Sequence, residues 1–252
     1  MNSDAATQFV EKWQRREPEM MLAEVFCPLA DKGRFRAWGA LSNELREAMF
    51  ELAEPRVASA KTAWWAEELA GLQEARQRHP LSTELLGTPA PWQALARALA
   101  VFAHDVQHPA DTAESVGALL PTAEAFIAVE SALFGAVADS AAAASVARHW
   151  LLMRLPEGLN RNDQARIPMH LLARHGLTAT QLASDDVAPL LADWGRELAM
   201  AGPDSVAGAT FFRRSRHDFD QARLARLAAG GAIGAPTPLA TLWRAWRAAR
   251  RR

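Results

Sequence analysis

Residues 35–52 read FRAWGALSNELREAMFEL, and this stretch decides the fold class. Its large apolar side chains recur mostly at steps of three and four residues, as they do on one face of an α-helix. They are Phe35, Trp38, Leu41, Leu45, Phe50 and Leu52. The stretch therefore predicts an amphipathic helix that packs against a hydrophobic core.

The segments on either side show helical patterns of the same kind, separated by proline and glycine. A short helix is predicted over Met20–Cys27, followed by a loop at Asp31–Gly33. Pro55 is expected to begin the next helix, and further helices are predicted over Trp92–Val106 and the Ala-rich stretch Gly135–Arg154. Gly176 is expected to end a short helix that begins at Pro168. Leu155–Gln164 is polar and predicts a loop. No alternating run of strand length occurs. We therefore predict an all-α protein with one domain over residues 1–252, in which residues 231–252 form a loop and a basic amphipathic C-terminal helix.

The composition excludes several classes of protein. The 252 residues carry 28 basic and 29 acidic side chains, and so balanced a chain has no general field for nucleic acid. Its single cysteine, Cys27, cannot form an intramolecular disulfide and is expected to be a buried, inert thiol. The apolar runs are too short for a membrane span, and the first residues do not resemble a secretory signal. We expect a soluble cytoplasmic protein.

Four short segments, taken in order, resemble one enzyme family. They are Ala40–Leu45 (ALSNEL), Glu54-Pro55, Trp64–Leu69 (WWAEEL) and His79-Pro80-Leu81. They resemble the squalene/phytoene synthase family, and within it the branch of complex I assembly factors. The Ala-rich helix that ends at Arg154, followed by Arg166-Ile167-Pro168 and Leu171–Leu177, is similar to the family's second motif region. The resemblance spans about residues 20 to 200.

This resemblance implies an isoprenoid synthase fold, with helices around a central cavity. In active members, two acidic motifs face each other and hold Mg²⁺ against prenyl diphosphates, because the departing diphosphate must have its charge neutralised. Here the first motif falls on Asn43, Glu44 and Glu47, and the acidic positions of the second fall on Leu155 and Leu159. The tyrosines of active members are absent, since the chain has none.

Each candidate residue of this site also has a plainer interpretation. Glu44 and Glu47 are either remnant metal ligands or part of a solvated helix face. Trp64 and Trp65 either line an apolar cavity, or one packs in the core and the other lies at the helix edge. Arg154 either binds a diphosphate or pairs with an acid on a neighbouring helix.

Two further groups of residues have patterns that occur in metal sites or in interaction surfaces. His104 and His108 have the i, i+4 spacing of metal ligands, but a surface helix end is the preferred interpretation. The C-terminal helix has a stripe of Leu239, Leu242, Trp243 and Trp246 beside several arginines. The stripe suits peripheral contact with the inner membrane surface or with an anionic partner. In the preferred interpretation, the tryptophans pack on the domain and the arginines form a solvated tail.

Three hypotheses for function follow. The first is a non-catalytic member of the family that binds a protein partner or an isoprenoid-like ligand, with assembly of a respiratory complex as the role that the resemblance implies; it requires no cofactor. The second is an active transferase that condenses two farnesyl or geranylgeranyl diphosphates with Mg²⁺, which would need Glu157 or Asp163 to lie opposite Glu44. The third is a carrier of a prenyl lipid or quinone, which would need an open apolar cavity.

Overall fold

In the computed structural model, residues 2–102, 104, 108–159, 165–183, 186–233 and 237–251 are described, without the side chains of residues 2–4 and 157. Every regular element among them is helical, so the prediction of an all-α fold is confirmed. The α-helices are α1 (Asn2–Arg16), α2 (Pro18–Ala23), α3 (Lys32–Phe50), α4 (Pro55–Gln73), α5 (Trp92–Ala100), α6 (Thr112–Gly117), α7 (Leu120–Phe134), α8 (Ser140–Met153), α9 (Leu155–Gly158), α10 (Met169–His175), α11 (Ala188–Ala201), α12 (Phe211–Ala228) and α13 (Pro238–Arg250). Short 3₁₀ turns cover Glu24–Phe26, Leu29–Asp31, Pro80–Glu84 and Ala179–Gln181. None of the helices in these described ranges is both long and apolar enough to cross a bilayer.

Local signals explain where many of these helices begin and end. Pro55 lies in the first turn of α4, where its missing N–H costs no hydrogen bond. The carboxylates of Asp111 and Asp139 accept backbone N–H bonds at the starts of α6 and α8. Gly135 and Gly176 end α7 and α10 in the left-handed conformation that glycine favours.

Five boundaries differ from the predicted ones. The Ala-rich helix predicted from Gly135 begins at Ser140. The predicted loop at Asp31–Gly33 is the end of a 3₁₀ turn and the start of α3. A single helix was expected over Met20–Cys27, but α2 ends at Ala23 and a 3₁₀ turn follows. The helix expected over Trp92–Val106 ends at Ala100. Within the predicted loop Leu155–Gln164, residues 155–158 form the one-turn helix α9, and residues 160–164 lie outside the described ranges.

Five aromatic side chains fill the space between α3, α5, α7 and α8. We call them the aromatic cluster, and they are Trp38, Phe50, Trp92, Phe126 and Trp150. The Trp38 ring lies 4.5 Å from that of Phe126, which lies 5.5 Å from Trp150 in an edge-to-face arrangement. The centre of these four helices is therefore packed with aromatic rings.

Helix α12 runs through the interior although its sequence is strongly charged. Three of its arginines are buried, and each pairs with a buried glutamate from another part of the chain. Arg213 bonds to Glu130 of α7 at 2.6 Å, and Arg216 bonds to Glu17 at 2.6 Å. Arg223 pairs with Glu19 of α2. Burial of these charges is tolerated because each is matched by an opposite charge.

Helix α1 packs against α3 at a glycine. A Cβ atom at Gly39 would lie 2.3 Å from the ring of Trp13, which is fully buried. No side chain larger than hydrogen fits there unless the indole moves. The close approach of α1 to α3 therefore depends on Gly39.

We expect Gly39→Ala to destabilise the protein by about 1–3 kcal/mol, because overpacking against Trp13 outweighs the gain in helix propensity of about 1 kcal/mol. Gly117→Ala is the matched control, since a Cβ atom there meets nothing within 4 Å. That variant should be as stable as the wild type or slightly more so. The measurement is urea unfolding of both variants, and equal stability of the two would contradict the packing described.

Candidate functional site

The two glutamates of the first motif lie where α1, α3 and α4 meet, and each lies between two lysines. Lys12 Nζ of α1 is 2.7 Å from Glu44 and 2.6 Å from Glu47. Lys61 Nζ of α4 is 2.7 Å from Glu47 and 3.6 Å from Glu44. We call these four residues the lysine–glutamate quartet. It uses two of the three lysines in the chain.

The contacts within the quartet favour the charged forms of Glu47 and Lys12. Burial would raise the pKa of Glu47, but hydrogen bonds from Lys12 and Lys61 outweigh it and lower that pKa to about 2. Burial would lower the pKa of Lys12, but the bonds to the two carboxylates raise it. The two positive and two negative charges therefore neutralise one another within the protein.

This arrangement does not fit a Mg²⁺ cluster. Magnesium in proteins takes oxygen ligands in near-ideal octahedral geometry, and the two carboxylates are already held by ammonium groups. Asn43 turns the other way on α3, where its Oδ1 accepts a 2.9 Å hydrogen bond from buried Arg46. Across the described part of the chain, no three His, Cys, Asp or Glu side chains are grouped to hold a metal ion. The plainer interpretation of a solvated helix face with Arg46 does not hold for Glu44, since Glu44 and Arg46 are buried, whereas Glu47 is half-buried.

The two leucines that the resemblance places at the second acidic motif take part in apolar packing. Leu155 is completely buried and Leu159 packs partly buried against the core. The Arg154 guanidinium lies over the ring of Phe50, 4.7 Å from its centre. Asp163 and the side chain of Glu157, the two acids that an active site would need, lie outside the described residues.

The paired tryptophans separate as the plainer interpretation predicted. Trp65 is buried, whereas Trp64 is 38% exposed at the edge of α4. Both contact the ring of His79, whose centre is 4.8 Å from that of Trp65. Glu68 accepts hydrogen bonds from the backbone N–H groups of Arg78 and His79 and so anchors the connection after α4. These tryptophans therefore fasten a loop to α4, next to the quartet.

The prediction that His104 and His108 lie at a helix end is wrong, because α5 stops at Ala100. His104 Nε2 lies 3.1 Å from the Thr62 hydroxyl, and His108 Nδ1 lies 3.0 Å from the carbonyl oxygen of Ile167. Neither histidine lies in a helix, so their i, i+4 spacing does not place them on one helix face. Cys27 is buried as predicted, and burial raises the pKa of its thiol to about 11.

The preferred interpretation of the C-terminal helix is also wrong. Trp243 and Trp246 do not pack on the domain and are instead exposed. The small residues Thr241, Ala245 and Ala248 are buried in their place. Hydrophobicity alone predicts the wrong buried face here, because close helix packing favours small side chains.

A network of buried charges was not foreseen from the sequence. It connects α2, α8 and α12, where Asp220 accepts from His149 Nδ1 at 2.9 Å and pairs with Arg223 at 3.3 Å. Arg223 in turn pairs with Glu19. His149 Nε2 and Glu19 Oε2 are buried without a hydrogen-bond partner among the described residues. The only sequence signal for this network was the close spacing of arginines and aspartates on α12. Such spacing is equally typical of a helix whose charges are in water.

A surface groove of about 540 Å³ lies between α1, α3 and the 3₁₀ turn Pro80–Glu84. Its walls include Val10 and Leu81 but also Glu11, Arg36 and Glu84. A groove with so many charges does not resemble a pocket for a prenyl chain.

No protein-family model matches the chain, and no curated protein matches it significantly. The resemblance to the squalene/phytoene synthase family therefore rests on the quoted residues.

Removing both lysines of the quartet should leave two uncompensated carboxylates that a divalent cation can bridge. We expect the double variant K12Q/K61Q to lose roughly 2–4 kcal/mol of stability, and Mg²⁺ or Mn²⁺ to restore part of it. Thermal unfolding with and without millimolar magnesium chloride measures both effects. Adding E44Q and E47Q to the variant should abolish the rescue. Stabilisation of the wild type by Mg²⁺ that is lost in E44Q/E47Q would instead show that the native glutamates bind metal.

The free energy of unfolding should fall in two steps as the pH is lowered. Burial lowers the pKa values of His149 and His217 from 6.5, so the unfolded chain takes up protons that the folded chain does not, and stability falls below about pH 6.5. Burial would raise the pKa values of Glu17 and Glu47, but neighbouring cations outweigh it and lower both to about 2. Their contribution is complete above about pH 4.5 and is lost as the pH falls towards 2.

Urea unfolding midpoints over a series of pH values test this. His149→Gln, which keeps a hydrogen-bond donor for Asp220 but does not titrate, should flatten the first step. A wild-type midpoint that stays constant between about pH 7 and pH 5 would contradict the expectation.

Proposed function

We propose that the protein is a non-catalytic member of the squalene/phytoene synthase family that acts by binding a protein partner. The observation that carries the proposal is the lysine–glutamate quartet. The two glutamates at the position of the first acidic motif are bound by Lys12 and Lys61 at distances of 2.6–3.6 Å. They serve to join three helices.

Prenyl condensation requires a diphosphate to leave, and its growing negative charge must be met by positive charge that is free to move onto it. In the quartet, the ammonium groups are already paired and the carboxylates have no metal-ligand geometry. The second motif adds no compensation, since Leu155 is buried in the core. Losing such groups typically costs orders of magnitude in rate, at about 1.4 kcal/mol for each factor of ten.

The packing of the helices favours a protein partner over an isoprenoid or quinone ligand. Trp38, Phe126 and Trp150 pack ring against ring between α3, α7 and α8. A prenyl chain placed there would have to displace these aromatic rings, and densely packed cores resist such changes. A protein partner binds at the outer surface and needs no internal cavity. The close packing of the core is therefore compatible with a role as an assembly factor.

Calorimetric titration with farnesyl thiodiphosphate, a non-hydrolysable analogue, tests the proposal. We expect no binding with or without Mg²⁺, because neither acidic motif has free carboxylates. An assay of diphosphate release from farnesyl diphosphate should likewise give the background rate.

The variant E44Q/E47Q serves as the control. If the wild type binds the analogue only with Mg²⁺ and this variant does not, the protein keeps a metal site and the proposal is wrong. Binding that is independent of Mg²⁺ and unchanged in the variant would favour a carrier, and would also overturn the proposal.

A further inference from the structure

Helix α13 has an exposed face that the fold does not use. Leu239 is 82% exposed, Trp243 is 58% exposed and Trp246 is 36% exposed. With 3.6 residues per turn, these three side chains share one side of the helix, with Leu242 half-buried at its edge. Large apolar side chains exposed together on one helix face commonly mark an interaction surface.

The opposite face of α13 holds the helix on the domain. Thr241, Ala245 and Ala248 are buried where α13 packs against α12 and α2. Arg214 Nε of α12 donates a 2.9 Å hydrogen bond to the carbonyl oxygen of Ala248, and Arg251 pairs with Asp218. The helix therefore stays in place without help from its tryptophans.

The exposed apolar side chains lie among cations. The rings of Trp243 and Trp246 are stacked 4.9 Å apart, and the Arg250 guanidinium lies 5.0 Å from the centre of the Trp246 ring. Residues 238–252 contain five arginines and no acidic residue, although the whole chain has a net charge of −1. Positive charge is thus concentrated on this one element.

Neighbouring elements also carry exposed apolar side chains. Helix α2 and the 3₁₀ turn after it both contact α13. They carry the exposed side chains of Met21 and Val25.

We propose that this face of α13 binds the surface of an anionic lipid bilayer. Leucine and tryptophan insert at the level of the lipid headgroups, and the arginines contact lipid phosphates. Tryptophan favours this interface because its ring is apolar and its N–H is polar. Residues 238–252, with five arginines and no acidic residue, complement a negatively charged surface, which a bilayer presents over its whole area. The inference is independent of the proposed function, since no residue of the quartet takes part.

Flotation with lipid vesicles tests the proposal. The full-length protein should bind vesicles of equimolar phosphatidylcholine and phosphatidylglycerol, and should not bind vesicles of phosphatidylcholine alone. W243S/W246S should weaken binding by at least about tenfold. R244Q/R247Q/R250Q should weaken it by about a hundredfold, since each arginine near an anionic surface contributes roughly fivefold.

Two matched controls separate this surface from general effects of charge and aromatic content. R56Q/R76Q/R97Q removes the same charge from exposed positions elsewhere, and W64S removes an exposed tryptophan that also lies beside an arginine. Both should bind anionic vesicles like the wild type. The α13 variants and R56Q/R76Q/R97Q should unfold at the wild-type temperature, because the replaced side chains are mostly exposed. W64S also removes a contact with His79, so its unfolding temperature is measured to confirm that it is folded in the binding assay.

Three results would overturn the proposal. The first is absence of wild-type binding to anionic vesicles, and the second is equal binding of the α13 variants and the controls. The third is a wild-type dimer, measured by light scattering, that W243S/W246S dissociates, because a second copy of the chain would then cover this face.

Discussion

The structure depends on burying the charges of α12. This helix crosses the interior with Arg213, Arg216 and Arg223 turned towards other helices, and each arginine is neutralised by a buried glutamate. Glu130 supplies the partner from α7, and Glu17 and Glu19 supply the others from the segment that begins α2. A buried pair of this kind adds little net stability compared with apolar packing, but losing one partner leaves an uncompensated charge in the core. The pairs therefore set which helices can lie beside α12 and in which register. The N-terminal segment is held in the same way, since residues almost 200 positions apart in sequence are joined at Glu17 and Arg216.

The same principle explains the candidate site. The charges of Glu44 and Glu47 are balanced by Lys12 and Lys61. These carboxylates therefore hold α1 and α4 to α3. The aromatic cluster fills the space between α3, α5, α7 and α8, so the centre of these helices is closely packed as well. A binding partner would therefore contact the outer surface of the protein. The exposed tryptophans of α13 are the most distinctive feature of that surface.

Much of the fold could be predicted because its signals are local. The apolar spacing over residues 35–52 identified α3, Pro55 marked the start of α4, and Gly176 marked the end of α10. The division of Trp64 and Trp65 between edge and core was also predicted, because adjacent residues on a helix point in different directions. Two helices were harder to interpret. The N-terminal sequence is too polar to suggest α1, and α13 buries its alanines while its tryptophans stay exposed. Hydrophobicity alone does not identify the buried face when close packing selects small residues.

The amino-acid sequence by itself determined the helical class, most helix boundaries, and the apolar character of Leu155 and Leu159. These properties follow from backbone preferences and from residue identity, which need no knowledge of distant contacts. Only the tertiary structure decided which charges are buried, which lysines neutralise Glu44 and Glu47, and which face of α13 meets solvent. Those outcomes depend on side chains far apart in the chain, and a charged residue looks the same in sequence whether its partner is water, a metal ion or an opposite charge in the core.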